Sequence, residues 1–422
     1  MLLKNKKITG NISLHGDKSI AHRAIIIASH FPGIHFIKNF PQNNDLIATL
    51  TIFKQYGLKY KISKNNIEID SREISLIKQK INCNESGTTA RLITGYLSGA
   101  NIETMITGKK SLLKRPMGRI MSPLDTFGVN IKGFNEKLPI QILPSKKIDN
   151  CNYIVDIPSA QIKASLILYS LHIKGENVIK GKIQTRDHLE ILLKDLGYPI
   201  QYDQKKIIID GKGNINKNID ITLPGDISSA SFIIAAAILI KDSNITIKNM
   251  CINSYRMGFI SAIKKMGANI ELMNRKIING EKIADINIKY SDHLIGIKIH
   301  EKDVPSLIDE IPILSIIANY ASGKTLIEGI GELKVKESNR IEAIIQNINR
   351  MGGNTSCNNN VLKIEPKKLY STTINSYGDH RIYMTFYIAN IVIDGEDKYN
   401  SKDNIYEKSF PNFLNIMEKV FI

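Results

Sequence analysis

The sequence predicts an α/β protein of two domains, each assembled from three βαβαββ units. Three observations carry that prediction. Six segments of the 422-residue chain share a polar or small-residue opening followed by an apolar, helix-length run. Short alternating β-branched runs lie between them, as in strands with one wet face. A second helical run closes several of the intervals, and two of these runs end at a glycine, a helix stop.

The six openings come in order. Gly16-Asp-Lys-Ser-Ile-Ala-His-Arg23 runs on to Ala28, and Glu85-Ser-Gly-Thr-Thr-Ala-Arg91 to Leu97. Ser159-Ala-Gln-Ile-Lys163 runs to Leu171, and Pro224-Gly-Asp-Ile-Ser-Ser229 to Ile240. Asp309-Glu-Ile-Pro-Ile-Leu314 runs to Ala321, and Tyr377-Gly-Asp-His-Arg381 to Val392. With Ser19, Ser86, Ser159, Ser228, Asp309 and Asp379 as markers, the spacings are 67, 73, 69, 81 and 70 residues. A recurrence near 70 residues reads as six copies of one supersecondary unit, longer than most solenoid repeats. Strand-like runs include Ile67–Asp70, Ile207–Asp210, Ile245–Lys248 and Leu362–Glu365, and second helices His188–Leu196, Met257–Met266 and Ser338–Met351. Each opening alone is an ordinary cap by Ser, Thr or Asp. Several of the six facing a common cleft would form an anion trap, because a helix N-terminus offers unpaired N–H groups and a positive dipole end.

Composition narrows the function. Apolar residues at 43% and charged residues at 23% exclude wholesale disorder and fibrous repeats. The longest uncharged apolar stretch, Ser231–Ile240, is about half of what a bilayer requires. The N-terminus shows neither a signal core nor a transit pattern, so a soluble, cytoplasmic protein without membrane partners is expected. Cys83, Cys151, Cys251 and Cys357 are far apart and lack a CxxC pair, which argues for reduced thiols over zinc or disulfide roles. The net charge of +17 suggests an anionic partner, although a Lys-, Ile- and Asn-rich coding bias accounts for much of it. The lysines are scattered and the aromatic content is 7%, which speaks against nucleic acid. Arginine is more telling, because its fork grips carboxylate and phosphate with two bonds. Seven of the 11 arginines (Arg23, Arg91, Arg115, Arg119, Arg186, Arg340, Arg381) fall in or beside the motif segments, two or three of them expected to be structural only.

These residues carry a resemblance. From Gly16 to Phe413 the chain resembles the 5-enolpyruvylshikimate-3-phosphate synthases. The first opening resembles the family's initial motif, and Arg115-Pro-Met-Gly-Arg119 its Arg-Pro-Met element. The Ser159, Pro224, Asp309 and Gly378-Asp-His-Arg381 segments have family counterparts in the same order. So do Thr185-Arg-Asp-His188, Val335-Lys-Glu-Ser-Asn-Arg340 and Lys408-Ser-Phe-Pro411. The resemblance implies an inside-out α/β barrel in each of two domains, with the active site between them. The first-traversed domain would span residues 15–224 and the second residues 1–14 plus 225–422, with crossings near Leu14 and Pro224.

It also implies a reaction. The 5-hydroxyl of shikimate 3-phosphate takes the enolpyruvyl group of phosphoenolpyruvate, phosphate leaves, and no metal or organic cofactor is needed. The product leads to chorismate and the aromatic amino acids. Lys18, Ser19, Arg23, Ser159, Gln161, Thr185, Arg186, Asp309 and Lys336 would bind shikimate 3-phosphate. Lys18, Gly87, Arg115, Gln161, Arg340, Arg381 and Lys408 would bind phosphoenolpyruvate. Such a gathering of cations is expected to be open or disordered without its ligand. Asp309, Glu337 and Lys18 would move protons, and His380 would orient the leaving phosphate or serve structure. Plainer readings stand beside these: Thr185 as the cap of the His188 helix, Gly87 as a loop glycine, and Glu337 as half of an intrahelical ion pair. Glu85 stands where many members carry Asn, unless Asn84 fills that place shifted by one, and pairing with Arg91 would reconcile Glu85 with an anion site; neither residue is assigned to the site. Gly87 stands where glyphosate-tolerant members of one subclass carry Ala, so competition between glyphosate and phosphoenolpyruvate is expected.

Three rival readings remain at this level. The related transferase acting on UDP-N-acetylglucosamine usually opens with Lys-Asn and carries a loop cysteine, and no cysteine lies between Cys83 and Cys151. An RNA-processing protein on related repeats would use the positive charge but leaves the arginine motifs without a role. A catalytically dead remnant would have lost charged site residues, and none is missing. A monomer is the default.

Overall fold

The computed structural model describes residues 7–394 and 404–421. The outer parts of the expected second domain, residues 1–6, 395–403 and 422, lie outside that range. The chain divides into two compact units. One comprises Gly16–Leu223 with Ile278–Glu281, and the other Met1–His15, Pro224–Ile277 and Lys282–Ile422. For brevity they are called the inserted and the outer unit.

The inserted unit carries α1 (Lys18–His30), α2 (Asn44–Gln55), α3 (Gly87–Gly99), the short α4 (Lys110–Leu113), α5 (Gly118–Thr126), α6 (Ala160–Ser170) and α7 (His188–Asp195). Its three sheets share one order. In the first, Asp220–Thr222 runs parallel to Ile34–Lys38, which pairs antiparallel with Asn66–Asp70 and that with Lys59–Ser63. The second repeats this with Gln79–Asn82, Thr104–Thr107, Ile140–Leu143 and Asn130–Gly133. The third uses Asn152–Val155, Gly175–Gly181, Lys206–Gly211 and Ile200–Tyr202.

The outer unit carries α8 (Ile227–Leu239), α9 (Gly258–Lys265), α10 (Ile311–Asn319), α11 (Arg340–Arg350), α12 (His380–Asp394) and α13 (Phe413–Val420). One sheet orders Thr9–Ser13, Asn244–Cys251, Glu281–Lys289 and Ile270–Ile278, and the other Lys298–Ile299, Thr325–Ile327, Val361–Glu365 and Asn354–Asn358. Five four-stranded sheets are therefore present among the described residues. The sixth expected repeat contributes α12 and α13 there but no such sheet.

Each of the five sheets has one parallel strand at its edge, and two of these strands are exchanged. Thr9–Ser13 precedes α1 in sequence but pairs with Asn244–Cys251 in the outer unit. Asp220–Thr222 precedes α8 but pairs with Ile34–Lys38 in the inserted unit.

The helices sort by burial. In α8 every residue from Ile227 to Ile238 is buried, and α1, α3, α6 and α10 are nearly as closed. Helices apolar on all sides belong inside. The second helices, α2, α7, α9 and α11, bury one face and wet the other. Glycine governs one of the inner contacts. A Cβ on Gly95 would stand 2.2 Å from the Ser165 carbonyl oxygen, and one on Gly99 2.4 Å from that of Tyr169. Two bare positions one turn apart let α3 lie against the backbone of α6, which sets their N-termini side by side. Among the described residues no helix is long and apolar enough to cross a membrane.

Candidate active site

In the inserted unit three capped helix openings are tied together by side chains. Asp17 caps α1 by accepting from the Ile20 amide, Ser86 caps α3 through Thr89, and Ser159 caps α6 through Ile162. Lys18 Nζ lies 2.9 Å from Asp45 Oδ2 in the first turn of α2. Thr49 of α2 meets Thr89 of α3 with hydroxyls 2.8 Å apart. Gln161 Nε2 donates to Thr88 Oγ1 at 3.4 Å, which joins the openings of α3 and α6. Lys18, Ser19, Thr88, Ser159 and Gln161 all keep partial exposure. The unit therefore presents amides, hydroxyls and an ammonium in one contiguous set, the chemistry of an anion site.

Beneath them the ring of His22 is fully buried, its Nδ1 2.9 Å from Thr49 Oγ1. Burial lowers its pKa to about 3; Lys18 and Arg23 push the same way, while Asp45 and Asp17 oppose them. His22 is thus neutral and adds no charge below the cationic opening. Arg23 Nη1 donates to the Ser19 carbonyl at 2.8 Å. Gly87 is where the arginines converge: a Cβ there would stand 2.6 Å from Arg115 Nη1 and 2.8 Å from Arg91 Nη1. Arg91 donates to the carbonyls of Gly87 and Pro116, a structural assignment that anchors the loop carrying Arg115. Glu85 Oε1 accepts from Ser111 Oγ. Thr185 is not the cap of α7. That position belongs to Asp187, and Thr185 is 5% exposed with its amide and hydroxyl both directed at the Ile183 carbonyl. Arg186 beside it is half-buried.

In the outer unit Asp309, Lys336, Glu337 and Arg381 form an ionic cluster around Arg340, which is 1% exposed. Its Nε donates to Asp379 Oδ2 at 2.8 Å, its Nη2 to Glu337 Oε2 at 2.7 Å, and its Nη1 to Asp309 Oδ1 at 3.4 Å. Desolvation works against the buried guanidinium, but Asp379, Glu337 and Asp309 outweigh it and raise its pKa. Lys336 Nζ is 3.6 Å from Asp309 Oδ1, and Arg381 Nη1 donates to the Asp309 carbonyl at 3.2 Å. Arg381 Nη1 also lies 3.8 Å from Glu310, whose carboxylate accepts from Ser228. Arg340, Lys336 and Arg381 are thus matched by acids. Within the cluster Asp309 and Glu337 are the accessible carboxylates, at 16% and 15% side-chain exposure, whereas Asp379 is sealed. Glu337 does form the ion pair read as its plainer role, but from the loop before α11 rather than within a helix. Asp309 precedes the α10 cap position, which Glu310 occupies. His380 is buried at the start of α12 beside Asp379, and Lys408, 8% exposed, ends a short turn before α13.

Several contributors escaped sequence reasoning. Asp45 sits in an ordinary amphipathic helix and is recognisable only through its partner Lys18. Arg256 donates to Asp226 Oδ1 at 3.1 Å and Ser228 Oγ at 3.0 Å, extending the outer cluster to the opening of α8. Asp226 and Asp379 lay inside quoted motifs, where their position just ahead of a helix was the available signal.

The profile described as EPSP synthase (3-phosphoshikimate 1-carboxyvinyltransferase) matches residues 2–417. The 3-phosphoshikimate 1-carboxyvinyltransferase of Clostridium tetani is 38% identical over 414 residues, covering 97% of this chain and 93% of its own. That of Caldicellulosiruptor bescii is 38% identical over 425 residues, covering 98% and 96%. Among solved structures, EPSP synthase from Acinetobacter baumannii superposes with a TM-score of 0.87 at 32% identity, over 100% of this chain and 97% of its own. The enolpyruvyl transferase NikO from Streptomyces tendae, at 15% identity, shares the fold with a TM-score of 0.80 over 99% of this chain and 96% of its own. A profile spanning nearly the whole chain, relatives at this identity along almost their full length, and the fold in common place the chain in the EPSP synthase family.

Proposed function

We propose that the chain transfers the enolpyruvyl group of phosphoenolpyruvate to the 5-hydroxyl of shikimate 3-phosphate, as a 3-phosphoshikimate 1-carboxyvinyltransferase, with both residue clusters serving that one reaction. The observation that carries the reading is the linked set of helix openings at Lys18, Gly87 and Ser159, with Arg115 drawn against Gly87. A phosphate and a carboxylate are the ligands such a set stabilises.

The chemistry follows from the groups available. The substrate hydroxyl attacks C2 of phosphoenolpyruvate, C3 takes a proton, and a tetrahedral adduct forms. Phosphate then leaves with the C2–O electron pair and C3 gives up a proton, so atoms balance without a further co-reactant. Asp309 takes the hydroxyl proton and Glu337 protonates C3. Both touch Arg340, so one buried cation fixes the two carboxylates relative to each other. Lys18 is the third group able to move a proton. Lys18, Ser19, Arg23, Ser159, Gln161, Thr185, Arg186, Asp309 and Lys336 hold shikimate 3-phosphate. Lys18, Gly87, Arg115, Gln161, Arg340, Arg381 and Lys408 hold phosphoenolpyruvate. Arg340 acts there mainly by holding acids in place, given its contacts with three carboxylates. The protein acts as a monomer in the cytoplasm.

The test is phosphate release from phosphoenolpyruvate with shikimate 3-phosphate, and separately with UDP-N-acetylglucosamine. Release with the first alone, abolished by Asp309→Ala or Arg23→Ala, supports the reading. Release only with the sugar nucleotide refutes it.

A further inference from the structure

Lys163 closes the Ser159-Ala-Gln-Ile-Lys segment and has no part in the chemistry above. It is 2% exposed, one turn along α6 from the helix opening. An ammonium has three N–H donors. Here Nζ lies 2.7 Å from Glu190 Oε1, 2.9 Å from the Thr185 carbonyl oxygen and 3.1 Å from the Ile183 carbonyl oxygen. Three acceptors thus meet three donors in a buried place. Glu190, in the first turn of α7, is itself 1% exposed.

The two carbonyls belong to a tight loop. The Thr185 amide donates back to the Ile183 carbonyl at 2.7 Å, so Ile183 accepts from its own loop and from Lys163 together. The ammonium thereby fixes the orientation of the Ile183–Gln184 and Thr185–Arg186 peptide groups, the second of which leads into Arg186. The same lysine is covalently part of the helix whose opening holds Ser159 and Gln161. Lys163 is therefore the joint between the two segments that carry Ser159, Gln161, Thr185 and Arg186. A buried ion pair is weak evidence for stability, because apolar residues of similar volume often serve as well. What an apolar pair cannot supply is a donor to two loop carbonyls.

We propose that Lys163 is a positioning residue for the phosphorylated acceptor: through the Ile183 and Thr185 carbonyls it sets Thr185 and Arg186 in register with Ser159 and Gln161. This rests on the substrate assignment made above. The residues assigned to phosphoenolpyruvate do not lie on that loop, and Gln161, assigned to both substrates, stays on α6 whether or not the loop keeps its place. Binding of phosphoenolpyruvate is accordingly insensitive to the joint.

Lys163→Met alone leaves Glu190 buried without its cation and is expected to unfold part of the unit. The decisive variant is Lys163→Met/Glu190→Met, which removes both charges and retains volume. Its thermal midpoint should stay near that of the parent. Its KM for shikimate 3-phosphate should rise about tenfold to a hundredfold, as for a misplaced binding loop, with kcat and the KM for phosphoenolpyruvate within about threefold of the parent. Direct titration with shikimate 3-phosphate should show the same loss without turnover. An unchanged KM for shikimate 3-phosphate in the folded variant overturns the proposal, as does an equal rise in both KM values. If Lys163→Met/Glu190→Met fails to fold, Lys163→Arg decides: it keeps a cation for Glu190 but presents its donors differently to the two carbonyls, so a selective rise in the KM for shikimate 3-phosphate supports the joint and an unchanged KM overturns it. A parent protein that releases no phosphate with shikimate 3-phosphate overturns the substrate assignment and this proposal together.

Discussion

Gly87→Ala isolates the contact between the α3 opening and Arg115. The position is helical, so alanine meets no backbone penalty there. Its Cβ would lie 2.6 Å from Arg115 Nη1 and 2.8 Å from Arg91 Nη1, where ordinary contact begins at 3.4 Å, so the two guanidiniums must retreat by about 0.8 and about 0.6 Å. The larger overlap falls on Arg115, the one of the two assigned to phosphoenolpyruvate, while Arg91 is held by the Gly87 and Pro116 carbonyls. A charge-assisted hydrogen bond contributes about 1.5–3 kcal/mol, and its loss corresponds to about a tenfold to hundredfold weaker grip on phosphoenolpyruvate. Both obstructing atoms end flexible side chains, so overall stability should change by less than about 1 kcal/mol. The assay is phosphate release with each substrate varied at saturation of the other, alongside a thermal melt. A KM for phosphoenolpyruvate equal to that of the parent would refute the reasoning, as would a parallel rise for shikimate 3-phosphate.

Other perturbations have equally definite outcomes. Asp379→Asn takes the principal partner from a guanidinium that is 1% exposed, and urea unfolding should register a loss of about 3–5 kcal/mol. Gly95→Ala drives a methyl group into the α6 backbone, so a lowered melting temperature is expected from calorimetry, and an unaltered one would contradict the close approach. His22 has a folded pKa of about 3 against an ordinary 6.5, so the unfolded chain binds its proton first and stability is lost as pH falls from 6.5 toward 3. At pH 5 that amounts to about 2 kcal/mol, and His22→Gln should flatten the stability profile between pH 7 and 5. Glyphosate should raise the apparent KM for phosphoenolpyruvate; turnover unaffected by saturating glyphosate would count against a shared site.

The helices were legible because their signals are local. Apolar runs behind polar openings gave all six inner helices within a few residues, and Ser86 and Ser159 cap where they were read. At the first and fourth openings the cap is the preceding aspartate, Asp17 and Asp226, because the helix begins one residue before the serine used as marker, and the aspartate accepts from the Ile20 and Ser228 amides. Strand partners were less legible. The alternation in Ile245–Lys248 shows which face is wet but says nothing of a partner more than 200 residues away. The ionic wiring was hidden for a related reason. Asp45, Glu190 and Arg256 acquire meaning only from side chains that tertiary packing brings to them. The Thr185 cap reading failed because Asp187 stands nearer the helix start and the Lys163 ammonium holds the preceding loop.

The exchanged strands bear on how the chain assembles. Ile8 and Ser243 share a hydrogen bond across 235 residues, a long separation for a contact at the edge of a sheet. Residues 16–223 intervene, and their two ends are neighbours: Gly16 donates to the Asn39 carbonyl, and Asn39 Nδ2 donates to that of Leu223. Once this segment has folded, its entry and exit points stand together, and Thr9–Ser13 reaches Asn244–Cys251 across what has become a short connection. The loop-closure entropy of a long flexible chain is then replaced by that of a few residues. Synthesis from the N-terminus favours the same sequence of events, because the first strand must wait for a partner made only after the insertion is complete. The inserted unit thus works as a molecular splint, and a nick in it that prevents folding would disable the outer unit without touching any of its contacts.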